Sequence, residues 1–505
     1  MVSRKKQQSF FRTYLWMPSA SACAVALLGA AQPALGQASE RSLSFVEAWR
    51  QLTGVSHQLK AAEHEVRASK DSVDALRTLH RPIVSLSAQA LKYQKTLSVD
   101  LSGPKQGLTS ATTDFLNDLP NSFPPEFQGV VNEATGKIEQ AVPGLLSTIP
   151  DTLKLQTKQE IFRPTGTVMM PIYTGGAIGA VQHAAQAGEA LARARQSGVH
   201  SLSQVDLVKV YFGQQVAEQL RESARQTRDD YELHLSDARK LEANGMIPYA
   251  RVLETEVARD TADRAFQRAD LASQTARDDL ARLLQTDAPI EANTALFVDS
   301  RPLPPVSEYV GSSINHPRAR EADAARDLAH AGVDLAKSRR LPQAFAFGEY
   351  NFNRNHALAT EPDWIAGVSV TYTLFSNVGR NKSVAAARER EKAAAELAAD
   401  ARQSTETETS RSYDLVETAR RNFLLLDSSI AAAEENVRVQ TVAFREGEAP
   451  ISSVIDAQSS LAAARTQRIS LAYEYDLALA ALLSASNRPE EFTDYLARAD
   501  RRLVP

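Results

Sequence analysis

The sequence predicts a mainly α-helical protein with a membrane β-barrel, built from two copies of a helix-strand-strand-helix-helix unit. Three observations predict this fold class: a repeat at a fixed offset, four strands of alternating polarity, and two helical stretches of unusual length. The repeat is clearest at two turns whose residues pair 202 positions apart, Gly245 with Gly447 and Pro248 with Pro450. Self-similarity at a fixed period indicates a duplicated structural unit.

Residues 1–36 are predicted to form a secretory signal peptide. A basic region that ends at Arg12 precedes an apolar run and then the small residues Ala34 and Gly36, which suit cleavage before the next residue. An uncleaved anchor helix and lipidation at Cys23, the only cysteine, are the alternatives. Because Cys23 lies within the signal segment, we expect a mature chain without disulfides.

The composition argues against nucleic-acid binding and offers no catalytic pattern. The chain has 61 acidic and 57 basic residues and a net charge of -4, whereas nucleic-acid binding normally requires a concentrated basic surface. The nine histidines are scattered, and the glycines at 175, 176 and 179 lack the spacing of a phosphate loop. The sequence therefore predicts a protein that is not an enzyme and that has no cofactor, no metal site and no nucleic-acid partner.

Each unit begins with a helix that a proline ends, followed by two strands. Residues 43–80 have a helical pattern that Ser42 or Ser44 can cap, and Pro82 stops it; Pro342 does the same in the second unit. The predicted strands span about 83–95 and 160–174, then 343–354 and 363–375. In the last strand the apolar residues Trp364, Ala366, Val368 and Val370 alternate with Gly367, Ser369 and Thr371.

This alternation fits either a strand between lipid and water or a half-buried strand of a soluble sheet. Four such strands at repeat-related positions, in an exported chain without disulfides, favour the membrane. Four strands cannot close a barrel, and open sheet edges are not tolerated in lipid. We therefore expect the strands to be pooled between chains, with eight from two chains or twelve from three.

The loop at residues 96–159 is an excursion of the first unit. Pro82 and Pro342 lie 260 positions apart, against 202 for the tips, so the first unit carries about 58 extra residues. The segment mixes six prolines with apolar clusters and is predicted to be a long, partly ordered outer loop. It is expected to cover the barrel mouth or to contact neighbouring chains, and the alternative is a flexible surface loop.

After each strand pair the pattern is helical for about 65 residues, which corresponds to roughly 100 Å of helix. The glycine at each tip provides a left-handed helix end, and the proline three positions later suits the start of the returning helix. These helices are expected to extend the barrel into a helical tube, with no separate domain between. The first predicted repeat spans 37–288 and contains a hairpin at 178–286 with its tip at 244–248. A linker at 289–305 leads to the second predicted repeat at 306–487, which contains a hairpin at 379–486 with its tip at 446–450. A tail follows at 488–505.

From Leu43 to about Asn487 the chain resembles the TolC family of outer-membrane efflux proteins. The resemblance rests on the duplicated element order, the prolines at 82 and 342, the strand exit at residues 173–176 and the two glycine tips. It implies a homotrimeric, twelve-stranded barrel in the lipid of the Gram-negative outer membrane, continued by a coiled-coil tunnel through the periplasm. It also implies a periplasmic adaptor and an inner-membrane pump or ABC transporter as partners.

The resemblance leaves the cargo open between small toxic molecules and a protein in type I secretion. The rival hypothesis is an exported structural coiled-coil or adhesin protein without channel activity, whose strands pack in a soluble domain.

The same resemblance implies roles for the two tips. Residues expected to contact the adaptor are Asn244, Gly245, Met246, Pro248, Glu446, Gly447, Glu448 and Pro450. Candidate tunnel-entrance residues are Arg251, Glu254, Phe444, Ser453 and Asp456. Ser453 stands where many members carry an aspartate, and Arg251 is basic at the same offset, which puts an acidic constriction in doubt. Asp456 is predicted to be either a gate residue or a capping or solvated helix residue.

Overall fold

The computed structural model describes residues 41–100, 115–116, 118–141, 152–353 and 362–503, so the predicted signal peptide lies outside the described residues. The helices of this part are α1 (Phe45–Val55), α2 (His57–Leu76), α3 (Pro125–Ala141), α4 (Ala177–Ala243), α5 (Tyr249–Leu283), α6 (Val306–Ser313), α7 (Pro317–Ser338), α8 (Arg380–Arg445), α9 (Ile451–Ala485) and α10 (Phe492–Arg498). Short 3₁₀ helices occur at Leu119–Ser122 and Pro489–Glu491. None of the described helices carries an apolar stretch long enough to cross a bilayer.

The strands form one four-stranded sheet and two small two-stranded sheets. They are β1 (Arg41–Leu43), β2 (Ile83–Asp100), β3 (Thr152–Tyr173), β4 (Ile290–Ala292), β5 (Leu296–Val298), β6 (Gln343–Asn351), β7 (Trp364–Thr371) and β8 (Arg501–Leu503). The large sheet has the order β2-β3-β6-β7, with every neighbouring pair antiparallel. Among the described residues, the outer edges of β2 and β7 pair with no further strand.

The large sheet has one apolar and one polar face, as the alternation predicts. Val84 pairs with Val168 and lies on the same face as Leu86, and the side chains of Val84 and Leu86 are 73% and 75% exposed. On the opposite face Ser85 and Thr167 share a hydrogen bond of 2.6 Å between their hydroxyl oxygens. An exposed apolar face on an isolated chain is what a lipid-facing sheet requires.

The first helical segment is divided, which the sequence pattern did not predict. Ser44, one of the two residues predicted as the helix cap, caps α1 through a capping box with Glu47. The helix then stops at Ser56, whose own hydroxyl caps α2 by accepting a hydrogen bond from the Leu59 amide. A serine side chain that bonds to nearby backbone can interrupt a helix in this way.

The middle of the long helices is clamped by short elements that we expected to be a linker and a tail. Strand β4 pairs in parallel with β1, and β5 pairs with β8, so the segments at 289–305 and 488–503 are part of the main core. Phe45, Phe212 and Phe492 pack there with ring centroids 5.1–6.1 Å apart. The strands still lead directly into the long helices, and the packed linker and tail lie beside the middle of those helices. Three-residue strands have no period that a sequence pattern can reveal.

The outer excursion is more ordered than predicted. Strands β2 and β3 continue to Asp100 and Thr152, beyond the expected ends near 95 and 160, and α3 packs on them. Residues 101–114, 117 and 142–151 lie outside the described part. The strands continue because leucines at 97, 153 and 155 find an apolar partner in the helix. In the second unit β6 and β7 are instead shorter than the expected 343–354 and 363–375.

Candidate docking tips and tunnel entrance

The two tips share one backbone geometry. Gly245 and Gly447 have φ angles of +71° and +78°, in the left-handed region where a side chain is disfavoured. The Met246 amide donates to the Leu241 carbonyl at 2.9 Å, and the Glu448 amide donates to that of Ala443 at 2.8 Å. These bonds close the ends of α4 and α8, as a left-handed glycine cap does. The prediction of left-handed glycines at both tips is confirmed.

The prolines end each turn one position before the returning helix. Pro248 and Pro450 are the N-cap residues of α5 and α9, with extended backbone. A proline there sacrifices no hydrogen bond, because its missing amide hydrogen would have no partner within the helix. The two turns are therefore stiff at both ends.

A small apolar cluster joins the two hairpins directly behind the tips. Its buried members come from both units: Leu235, Ala238, Val252, Phe444, Ile451 and Val454. Because the two hairpins share this cluster, a shift of one tip is transmitted to the other. We call these six residues the tip cluster.

Polar contacts around the tip cluster also link the two hairpins. The Arg445 guanidinium binds Asp237 with N–O distances of 3.0 and 3.1 Å. The Tyr231 hydroxyl donates to the Ile455 carbonyl at 3.2 Å, and the Gln458 amide donates to a carboxylate oxygen of Asp230. Sequence reasoning missed these residues as functional candidates, since nothing in a helical pattern shows which charges face each other across two hairpins.

Burial at this junction changes the titration of two side chains. His234 lies among the tip residues, and removal from water lowers its pKa, although the carboxylates of Asp230 and Asp237 oppose the effect. Burial likewise raises the pKa of Tyr231. His234 is accordingly neutral at pH 7, and its side chain is buried between the helices.

All eight predicted adaptor-contact residues are exposed at the tips. Met246 is the largest apolar one, with 59% of its surface accessible. Thioether side chains adapt their shape to a partner surface. The geometry thus leaves Met246 free for a contact, and the contact itself stays a prediction.

The five candidate entrance residues occupy different environments. Arg251 donates two hydrogen bonds of 2.8 and 2.9 Å to Glu254, so these two charges neutralise each other. Phe444 is only 3% exposed and belongs to the tip cluster, whereas Ser453 is half-buried and Asp456 is exposed. Their role at an entrance stays a prediction.

Asp456 does not cap its helix. Pro450 holds the N-cap position of α9, and Asp456 lies in the second turn, where its carbonyl accepts a hydrogen bond from the Ser460 hydroxyl. The capping interpretation is therefore wrong, and a solvated helix residue or a gate residue remains. The described residues hold no cluster of three or more histidine, cysteine, aspartate or glutamate side chains placed to bind a metal ion.

Comparison with known proteins shows what the second half of the chain is similar to. A family model described as outer membrane efflux protein matches residues 312–488, which include α7, the strands β6 and β7, and the second hairpin. Over these residues the chain is similar to outer membrane efflux proteins. A curated relative, the cobalt-zinc-cadmium resistance protein CzcC of Cupriavidus metallidurans, is 24% identical over 319 residues, which cover 62% of this chain and 74% of the relative.

Solved structures of outer membrane proteins share the fold of this chain. The outer membrane protein VceC of Vibrio cholerae superimposes with a TM-score of 0.67 at 14% identity, covering 88% of this chain and 95% of that one. The MtrE outer membrane channel of Neisseria gonorrhoeae gives 0.66 at 16% identity, covering 88% and 89%. The family model thus supports the resemblance over residues 312–488, and the solved structures confirm a mainly helical fold of this type.

Proposed function

We propose that three copies of this chain close a twelve-stranded barrel in the outer membrane and continue it as a helical tunnel through the periplasm. The observation that carries the proposal is the four-stranded sheet, which has an exposed apolar face and two outer edges that pair with no strand among the described residues. A conduit of this kind needs no energy source of its own. It passes cargo that a pump delivers.

The open edges require other chains. Each unpaired backbone group costs several kcal/mol in hydrocarbon, so β2 and β7 must find partners there. The sheet order places them at opposite edges, so β7 of one chain is free to pair with β2 of the next, and repetition of that step closes a ring. Eight or twelve strands satisfy this argument equally, and the family resemblance favours three chains with twelve strands.

The tips complete the conduit at the other end. The α4 and α8 helices, of 67 and 66 residues, lead from the sheet to the two tips, a path of roughly 100 Å. Their exposed ends, at Asn244–Pro248 and Glu446–Pro450 in each of three chains, would present six turns to a periplasmic adaptor. The adaptor would connect the tunnel to an inner-membrane pump or ABC transporter.

The cargo is a further proposal. The relative CzcC is named a cobalt-zinc-cadmium resistance protein, which makes divalent metal ions the first cargo to test. Deletion of the gene, followed by growth with zinc, cobalt, cadmium or drugs and by comparison of the secreted proteins, separates metal efflux from drug efflux and from protein secretion.

The test of the conduit uses the purified full chain. We expect it in the outer-membrane fraction, extractable only with detergent, with a mass of three chains of 55.1 kDa before signal removal and with discrete conductance steps in a planar bilayer. The rival hypothesis of an exported coiled-coil or adhesin protein predicts recovery from the soluble periplasm without detergent. Recovery there, or a monomer without conductance, would contradict the conduit.

A further inference from the structure

The ribbon formed by β2 and β3 extends far beyond the rest of the sheet. The two strands pair in continuous register from Ile83–Met169 to Asp100–Thr152. Strand β6 pairs with β3 only as far as Thr165. Beyond that level about a dozen residues of each strand stand as a two-stranded ribbon, on the side of the sheet away from the long helices.

The outer face of the ribbon changes from apolar to polar along its length. This face carries Val84 and Leu86 in the sheet, and Phe162 marks its last large apolar side chain, which is 57% exposed. Directly beyond it Lys92 pairs with Glu160 through an ion pair. Lipid contact therefore ends between Ala90 and Lys92, and the ribbon beyond lies outside the hydrocarbon layer.

The inner face of the same ribbon changes in the opposite direction. Within the sheet it carries polar contacts, including a hydroxyl pair between Ser87 and Thr165 at 2.8 Å and an ion pair between Arg163 and Glu349 at 2.6 Å. Beyond the sheet it carries apolar side chains at Leu97, Leu153 and Leu155, where Leu97 and Leu155 are cross-strand partners.

Helix α3 covers this inner apolar face. Phe127 and Val131, one turn apart, are 1% and 0% exposed and pack against Leu155. The opposite side of α3 is exposed and mainly polar, with Asn132 and an ion pair between Glu133 and Lys137. Because strand side chains alternate strictly between two faces and the register is unbroken, α3 lies on the face that lines the pore in the proposed barrel.

We propose that the three β2–β3 ribbons extend the barrel wall outward and that the three α3 helices line its inside, forming a constriction above the mouth that limits the size of cargo leaving the channel. This inference rests on the proposed trimeric barrel. It assigns helix α3 a role in selectivity, with the polar side of this helix turned toward the water-filled passage.

The dimensions support a narrow passage. Twelve strands about 4.8 Å apart and tilted by about 40° enclose a ring roughly 24 Å across. A helix with its side chains is about 10 Å wide, so three helices side by side fill a circle of roughly 22 Å. Three α3 helices inside such a wall leave a passage much narrower than the barrel itself.

The test places a single cysteine on α3 or on the opposite face of the ribbon. Both variants start from the full chain with Cys23→Ala. Asn132→Cys lies on the exposed side of α3, and the matched control Thr96→Cys lies on the exposed outer face of the ribbon. A bulky, water-soluble thiol reagent is added on the outer side of a planar bilayer, and mass spectrometry verifies that both sites are labelled.

We expect labelling of Asn132→Cys to lower the single-channel conductance by about twofold or more, since conductance follows the width of the passage, and labelling of Thr96→Cys to leave it unchanged. A second variant replaces residues 101–151 by Asn-Gly, which suits a two-residue turn between the cross-strand partners Asp100 and Thr152. It should conduct more than the wild type and admit larger polyethylene glycols.

The outcomes separate the two proposals. If the wild type conducts but labelled Asn132→Cys behaves like labelled Thr96→Cys, the constriction is refuted while the conduit stands. If the shortened variant conducts no better than the wild type, the constriction is likewise refuted. If the wild type forms no channels, the conduit itself fails and the constriction with it.

Discussion

The ion pair between Arg445 and Asp237 is the most accessible link between the two hairpins near the tips. The Arg445 side chain is 58% exposed and that of Asp237 is 24% exposed. Because solvent screens a pair of this exposure, its contribution to the free energy that holds the two hairpins together is about 0.5–1 kcal/mol. Replacement by Arg445→Met keeps an apolar stem of similar length and removes the charge. We expect this variant to favour separation of the two tips.

The free energy converts into a population. Because 1.4 kcal/mol is a factor of ten, a loss of about 0.5–1 kcal/mol raises the ratio of separated to closed tips about two- to fivefold. If separation of the tips widens the tunnel entrance, the open probability in a planar bilayer increases by the same factor while that probability is small. The effect should shrink between about 0.1 and 1 M salt, because the Debye length falls from about 10 to 3 Å.

Arg438→Met is the matched control. Arg438 lies on the same helix and forms an ion pair with Glu435, three residues earlier, at a similar exposure of 65%. That pair links no second element, so its loss should leave the open probability unchanged. A double-mutant cycle with Asp237→Asn isolates the pairwise contribution. Equal effects of Arg445→Met and Arg438→Met, or an Arg445→Met effect that persists in 1 M salt, would refute the reasoning.

Two further substitutions test the joints and the core. Gly175→Ala should cost about 2–5 kcal/mol of stability, because a φ of +63° is strained for alanine and the new Cβ would lie 2.8 Å from both the Leu341 Cβ and the Ser338 carbonyl oxygen. The control Gly176→Ala, where φ is +87° and the Cβ meets open space, should cost only about 1–2 kcal/mol. Equal losses of stability in thermal unfolding, followed by circular dichroism, would contradict this. Burial raises the pKa of the Asp476 carboxyl, so the folded chain keeps a proton that the unfolded chain loses above about pH 4. Between that pH and the raised pKa of the folded chain, the free energy of unfolding falls by about 1.4 kcal/mol per pH unit. Asp476→Asn should therefore be more stable than the wild type at pH 7 and similar at pH 4, and a constant difference across this range would count against the assignment.

The elements that repeat were predictable from the sequence because their signals are local. The helical hairpins follow from helical patterns of about 65 residues on either side of the glycine tips, and Phe423 and Tyr475 within them are fully buried. The tips follow from glycine and proline at fixed offsets. The faces of the sheet follow from alternation, which needs no knowledge of the strand partners.

The elements that depend on distant partners were not predictable. The Tyr211 hydroxyl donates to the Leu43 carbonyl at 2.6 Å and accepts from the Asn293 and Thr294 amides, which joins three segments that are far apart in sequence. Strand β8 exists only because β5 lies beside it. The same holds at the tips, where Arg445 and Asp237 meet across two hairpins.

The distribution of buried residues separates the parts of the molecule that can move from those that cannot. Among the residues that the structure describes, the main core holds 33 buried residues around the middle of the long helices, including members of both small sheets. The tip cluster holds six, roughly two turns from exposed helix ends. The free energy of local opening rises with the apolar surface that opening exposes, so the tips open far more readily than the middle. In the proposed conduit, an adaptor that binds the exposed turns would need to overcome only the tip cluster and its few polar links. The packed middle would transmit little of that movement to the sheet, so the barrel would keep its strand pairing while the tips rearrange.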